Sequence, residues 1–225
     1  MSLTDSILIL AAGELERWHA AMPKQLVDIG GEVLLRRTRR QTGNRAIVVT
    51  HRDDIKEMSG HWIEPERRDV IAATLVSTHL HWVGRVCILL GDVIYAPGTM
   101  KRILSCGLDF ATFGRRWEIF ALSFDSDAVG LGIKWACNRA IAFYEEGKDH
   151  AGDPEWAQKG RAKLWEVYRI FCGLLVDRMS LEHQAFQFVR GDYTDDIDTI
   201  EEYNAFLDAN AWADSGHRLK AIRRG

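Results

Sequence analysis

Three runs in the first half of the chain contain almost nothing but apolar side chains: Ser6-Ile7-Leu8-Ile9-Leu10-Ala11-Ala12, Arg45-Ala46-Ile47-Val48-Val49-Thr50 and Arg85-Val86-Cys87-Ile88-Leu89-Leu90. A strand buried on both faces reads in this way, and such strands belong to parallel sheets covered by helices. The first run ends at Gly13 and the third at Gly91-Asp92, residues that turn a chain out of a sheet. Between the runs lie helix-like stretches, from about Glu32 to Gln41 after the Gly30-Gly31 turn, from Asp53 to Ser59, and from Val70 to Trp82. Strand and helix in alternation predict βαβ units, hence an α/β three-layer sandwich with a mixed, mostly parallel central sheet.

The rest of the chain is read in the same terms. Met100 to Cys106 predicts a short helix, and Ala111 to Phe124 one or two strands at an edge or in a hairpin. Apolar residues recur at helical spacing from Trp135 to Tyr144 and from Trp156 to about Arg178. In the second stretch Leu164, Tyr168, Phe171 and Leu175 form one stripe, with Lys163, Glu166 and Arg169 off it. Phe186 to Val189 reads as a short strand. The Gly- and Asp-rich segment 145–154 is a soft boundary, but the last acidic motif returns to the chemistry of the first half, so residues 1–225 are expected to form one domain.

Composition excludes several classes. With 47% hydrophobic residues over 225, the chain can bury a core without a staple. Cys87, Cys106, Cys137 and Cys172 are scattered, without zinc or disulfide spacing, and read as reduced thiols of a cytoplasmic protein. No basic leader and no run of about 20 apolar residues points to a membrane. A formal net charge of −3 argues against a nucleic-acid coat. The arginines of Arg36-Arg37-Thr38-Arg39-Arg40 are expected on the outer face of a helix, and His79-Leu80-His81 is expected to be a pair without metal, since residues two apart do not share a helix face.

Ligands of parallel sheets gather beyond the carboxyl ends of the strands. Three motifs fall there. Ala11-Ala12-Gly13 brings small residues to a strand end, where backbone N–H groups can approach a phosphate, and Arg17 and Lys24 add positive charge; strand-end packing explains the small residues equally. Asp92 stands at the tip of a buried strand, as a magnesium ligand or as the cap of the turn before Pro97. Asp195-Asp196-Ile197-Asp198-Thr199 leads into Glu202, so Thr199 and Glu202 have the spacing of a capping box. If residues alternate there as in a strand, Asp196 and Asp198 point the same way and share one cation with Asp92.

In this order the motifs resemble the sugar-nucleotidyltransferase and cytidylyl/guanylyltransferase superfamily of the glycosyltransferase-A type. Leu10 to Arg17, Pro23-Lys24-Gln25-Leu26, Asp28 to Leu35, Gly91-Asp92 and Asp196 to Thr199 carry the likeness, which spans nearly the whole chain. The resemblance implies a nucleotide-diphospho-sugar transferase-like fold and transfer of a nucleoside monophosphate from an NTP to a small phosphorylated acceptor, with a sugar 1-phosphate favoured and pyrophosphate released. It implies that Ala11, Ala12, Gly13, Arg17 and Lys24 hold the nucleotide, and that Arg17, Lys24 and Asp92 serve catalysis. It further implies that Asp92, Asp196 and Asp198 bind Mg2+. Arg115 and Arg116 are the candidates for the acceptor phosphate, and a homodimer is compatible with the helical stretch after Trp156. The sequence departs from the family where Leu15 replaces a loop glycine and Glu16 a small residue. A nucleotide-binding relative without catalysis and a nucleotide-sugar-dependent glycosyltransferase are the alternatives; Pro23-Lys24 favours the nucleotidyltransferase.

Overall fold

A computed structural model describes residues 4–13, 18, 22–115, 118–146, 162–174 and 183–210. The three apolar runs are strands β1 (Ser6–Leu10), β2 (Ile47–Val49) and, after the short edge strand β3 (Trp62–Ile63), β4 (Arg85–Leu90). β5 (Val93–Ile94) follows the Gly91-Asp92 turn, then come β6 (Phe110–Arg115), β7 (Glu118–Asp125), β8 (Phe186–Phe188) and β9 (Asp195–Asp196). Seven of these form one sheet in the order β3-β2-β1-β4-β7-β6-β8, while β5 and β9 form a separate antiparallel pair. Leu8 stands beside Ile47 on one side and Ile88 on the other, both in parallel register. β7 runs against β4 and β6, whereas β6 and β8 are parallel. The sheet is mixed and mostly parallel.

The helices are α1 (Leu34–Gln41), α2 (Asp53–Ser59), α3 (Ile71–Ser77), α4 (Pro97–Leu104), α5 (Ser126–Glu145), α6 (Leu164–Phe171) and α7 (Ile200–Asn210). Alternation along the strands sends Leu8, Leu10, Val86 and Ile88 into a core with α3, α5 and α6, and sends Ile7, Ile9, Cys87 and Leu89 into a second core with α1, α2 and α4. Both faces of the sheet are therefore covered, which is why the strand sequences lack polar alternation. Among the described residues, no helix is long and apolar enough to cross a membrane.

Several elements differ from the sequence reading. α5 begins at Ser126 rather than near Trp135, because Asp125 caps it, its carboxylate accepting from the N–H groups of Asp127 and Ala128 at 3.0 and 3.1 Å. Gly132 obscured that start, yet a Cβ there would come within 2.9 Å of the Phe171 ring, so its small size lets α5 and α6 approach. Glu166 and Arg169, expected off the buried stripe, are themselves buried, and a Glu166 carboxylate oxygen accepts from the Lys163 N–H at the start of α6. Leu175 and the outer parts of the Trp156 to Arg178 stretch lie outside the described residues. The arginines of α1 are not simply solvated: Arg37 donates to the Tyr193 hydroxyl at 2.7 Å, Arg39 to the Met58 carbonyl, and Arg40 grips Glu32 with two bonds. Only Arg36 of this run stands exposed without such a bond among the described residues, because α1 is flanked by α2 and by the segment leading to β9.

Candidate active site

The first motif leaves β1 at the carboxyl edge of the sheet. Ala11 and Ala12 are buried, and the Ala11 N–H donates to the Val49 carbonyl at 2.9 Å, so this part of the loop is stitched to β2. Gly13 is exposed and has open space on the side where a Cβ would stand. Arg17, with Leu15 and Glu16, lies outside the described residues.

Pro23 presets an extended backbone at φ −60° and leads into a 3-10 turn, Lys24–Leu26. That turn aims Lys24 inward, leaving it 7% exposed. Its Nζ lies 2.9 Å from an Asp198 carboxylate oxygen and 3.8 Å from one of Asp92. Segments remote in sequence thus meet on one ammonium group.

Asp92 is placed by a close approach. The Gly91 N–H donates to the Leu10 carbonyl at 2.9 Å, and a Cβ on Gly91 would stand 2.9 Å from that oxygen and 3.2 Å from the Ala11 Cβ. Gly91→Ala is accordingly expected to lower stability by about 1 to 3 kcal/mol through overpacking against backbone, measurable by urea unfolding; an unchanged midpoint would show that the β1 and β4 ends give way freely. Beyond Asp92, β5 pairs Val93 with Asp196 and Ile94 with Asp195, which carries the late acidic motif alongside the Gly91-Asp92 turn.

Asp198 lies past the end of β9, at the start of α7. A Glu202 carboxylate oxygen accepts from the N–H groups of Asp198 and Thr199, and the Thr199 hydroxyl oxygen accepts from the Glu202 N–H at 3.1 Å. This is the capping box that Thr199 and Glu202 predict. Trp18, Val27, Ile29, Leu34, Ile94 and Ile197 form a small core that holds this helix start, with Trp18 edge-on to Tyr203 at 6.1 Å.

The carboxylates divide into two groups. Asp92 and Asp198 flank Lys24, whereas oxygens of Glu118, Asp195 and Asp196 all lie within 4.8 Å of one another. The expected alternation of Asp196 and Asp198 does not hold, because β9 stops at Asp196 and Asp198 belongs to the helix start. Glu118 was not anticipated; its signal was a lone charge opening the apolar strand Glu118-Ile119-Phe120-Ala121-Leu122. Asp195 was passed over for the same reason that favoured Asp196, an alternation assumed over too long a segment. Burial pushes the Asp196 carboxyl up to about 8, with Glu118, Asp198, Asp92 and Asp195 adding repulsion. Arg115 lies against this group, 3.0 Å from Asp195, and donates to the Thr194 carbonyl at 2.6 Å. Arg116 lies outside the described residues.

This donor set suits a small hard cation, for which closely spaced carboxylate oxygens are the common ligands. Burial is the main cause of the raised Asp196 carboxyl, and the neighbouring carboxylates add repulsion that a divalent ion would relieve.

No family model and no curated protein sequence matches the chain. Solved structures do. The inositol-1-phosphate CTP transferase from T. maritima superposes with a TM-score of 0.58 at 9% identity, covering 92% of this chain and 96% of that one. The chain has the nucleotidyltransferase fold. The CTP:phosphocholine cytidylyltransferase from Streptococcus pneumoniae gives a TM-score of 0.55 at 13% identity over 90% of this chain and 97% of its own. A UDP-glucose pyrophosphorylase complexed with UDP-glucose gives 0.56 at 12% over 94% and 99%. Within the nucleotidyltransferase fold, the Lys24 and Glu118 groups lie at the strand ends, where parallel sheets take their ligands.

Proposed function

We propose that the protein is a magnesium-dependent nucleotidyltransferase that moves a nucleoside monophosphate from an NTP to a small phosphorylated acceptor. The observation that carries this reading is the convergence of Lys24, Asp92 and Asp198 at the carboxyl ends of β1 and β4, with Glu118, Asp195 and Asp196 beside them. The neighbours named for inositol 1-phosphate, phosphocholine and UDP-glucose chemistry support the reaction class. A sugar 1-phosphate is the favoured acceptor.

In the proposed reaction an acceptor phosphate oxygen attacks the α-phosphorus in line, a new P–O bond forms, and the bond to the bridging oxygen breaks to release pyrophosphate. An acceptor phosphate is already ionised at neutral pH, so positioning and charge neutralisation do most of the work. The loop Ala11-Ala12-Gly13 lies against the nucleotide, with the open side of Gly13 admitting close approach of backbone. Arg17 and Lys24 neutralise the triphosphate. Mg2+ would be held by carboxylates drawn from Asp92, Asp196 and Asp198 and from the Glu118 and Asp195 beside Asp196, and would supply charge stabilisation at the phosphoryl oxygens. Arg115 and Arg116 supply positive charge on the acceptor side.

Incubation with each NTP, Mg2+ and a panel of sugar 1-phosphates, with phosphocholine included, tests the reading by pyrophosphate release. Release with one NTP and one acceptor, abolished by chelation, is expected. Nucleotide binding without turnover across the panel would replace the enzyme by a non-catalytic nucleotide-binding relative, in which Leu15 and Glu16 had ended the loop's catalytic role.

A further inference from the structure

The pair of strands that carries Asp195 and Asp196 is only two residues long on each side. So short a ladder does not secure its own register, and a slip of one residue would turn both aspartates away from their present neighbours. Something else must pin it.

Thr194, immediately before β9 and fully buried, sends each of its polar groups to a different partner. Its hydroxyl oxygen accepts from the Ala96 N–H at 3.0 Å, its carbonyl accepts from Arg115 at 2.6 Å, and its N–H donates to an Asp192 carboxylate oxygen at 2.9 Å. The other oxygen of Asp192 accepts from the Thr99 hydroxyl at 2.6 Å, tying the turn to α4. Next to Ala96, the buried Tyr95 hydroxyl bonds to the Phe120 carbonyl at 2.6 Å and accepts from the Leu90 N–H at 3.0 Å. One continuous set of bonds therefore joins the end of β4, which leads to Asp92, the start of β7, which bears Glu118, and the start of β9.

We propose that Thr194 is a positioning residue, whose hydroxyl oxygen sets the Asp195-Asp196 strand in register so that its carboxylates stay grouped with Glu118. It touches neither substrate nor cation and acts through the strand it precedes. The inference rests on the reading that these carboxylates hold a divalent cation, and its consequence for affinity is that of a group that orients metal ligands.

The test compares Thr194→Val, which keeps the shape and removes the hydroxyl, with Thr194→Ser, which keeps the hydroxyl and removes the methyl group. Two readouts are made on the full chain: Mn2+ affinity by calorimetry, and amide hydrogen exchange at Ile94 and Asp195, the hydrogen-bonded pair of the ladder. Thr194→Val is expected to lose about tenfold or more in Mn2+ affinity and to exchange faster in the β5–β9 ladder. Thr194→Ser should restore both. Unchanged exchange and affinity in Thr194→Val would overturn the proposal, as would equal losses in the two variants, since the methyl group would then be what matters. A wild type that takes up no Mn2+, yet whose ladder exchange is raised by Val and restored by Ser, would sink the cation reading while leaving Thr194 as the pin of this strand.

Discussion

Lys24→Met is expected to weaken MgNTP binding by about 1.5 to 3 kcal/mol, roughly ten- to a hundredfold, because it deletes a charge-assisted contact from a largely desolvated position. Methionine keeps most of the length and bulk of the side chain, so the loss isolates the charge. The ammonium lies 2.9 Å from an Asp198 carboxylate oxygen and 3.8 Å from one of Asp92. On the proposed reading, nucleotide would compete with these carboxylates for the lysine, and a cation engaging the carboxylates would release it. Calorimetry should accordingly find the wild type binding NTP more tightly with Mg2+ than without it, and Lys24→Met losing affinity in both conditions. Wild-type affinity in the variant would remove Lys24 from the phosphate site. The substitution also leaves two half-buried carboxylates with less neutralising charge, so a lower thermal midpoint is expected alongside.

Asp196→Asn should raise stability at alkaline pH. With its carboxyl pushed up to about 8 in the folded protein, against an ordinary aspartate value of 3.8, Asp196 stays protonated in the fold over a range where the unfolded chain has already released the proton. Between these two values the native state binds more protons, so stability falls as pH rises. The penalty is absent below about pH 4 and complete above about pH 8. A full shift of this size would correspond to several kcal/mol, which solvent screening at this partly exposed position reduces to about 1 to 3 kcal/mol. For a chain of this length, that is roughly 2 to 10 °C in thermal midpoint. The advantage of Asp196→Asn should appear at pH 9 and vanish near pH 4, a comparison in which carboxylates common to both proteins cancel. Millimolar Mg2+ at pH 9 should narrow the gap by stabilising the wild type more than the variant. A difference independent of pH would mean that Asp196 is not held in its neutral form.

Where the sequence was legible, burial was local and periodic. β1, β2 and β4 are unbroken apolar runs because both of their faces are covered, and that property is written into each strand without reference to its neighbours. The capping box at Thr199 and Glu202 was equally plain, since its partners are three residues apart. The motif residues Lys24, Asp92 and Asp198 stood out by their places at element ends, and the order of the motifs pointed to the superfamily fold.

What the sequence by itself determined is therefore the layered α/β architecture and the residue types at the strand ends. Tertiary structure alone decided which of them meet. Glu118 joins Asp195 and Asp196 only because β7 runs against its neighbours and the β5–β9 pair brings the late motif alongside, while Lys24 reaches Asp198 across a separation of 174 residues. The same topology brings Arg115 to Asp195 and gives Arg37 to Tyr193, where charge patterning read solvent for Arg37. The physical reason is range: side-chain periodicity reports the environment within a turn or a strand, whereas a constellation of charges depends on how strands are ordered and registered, which no local pattern records.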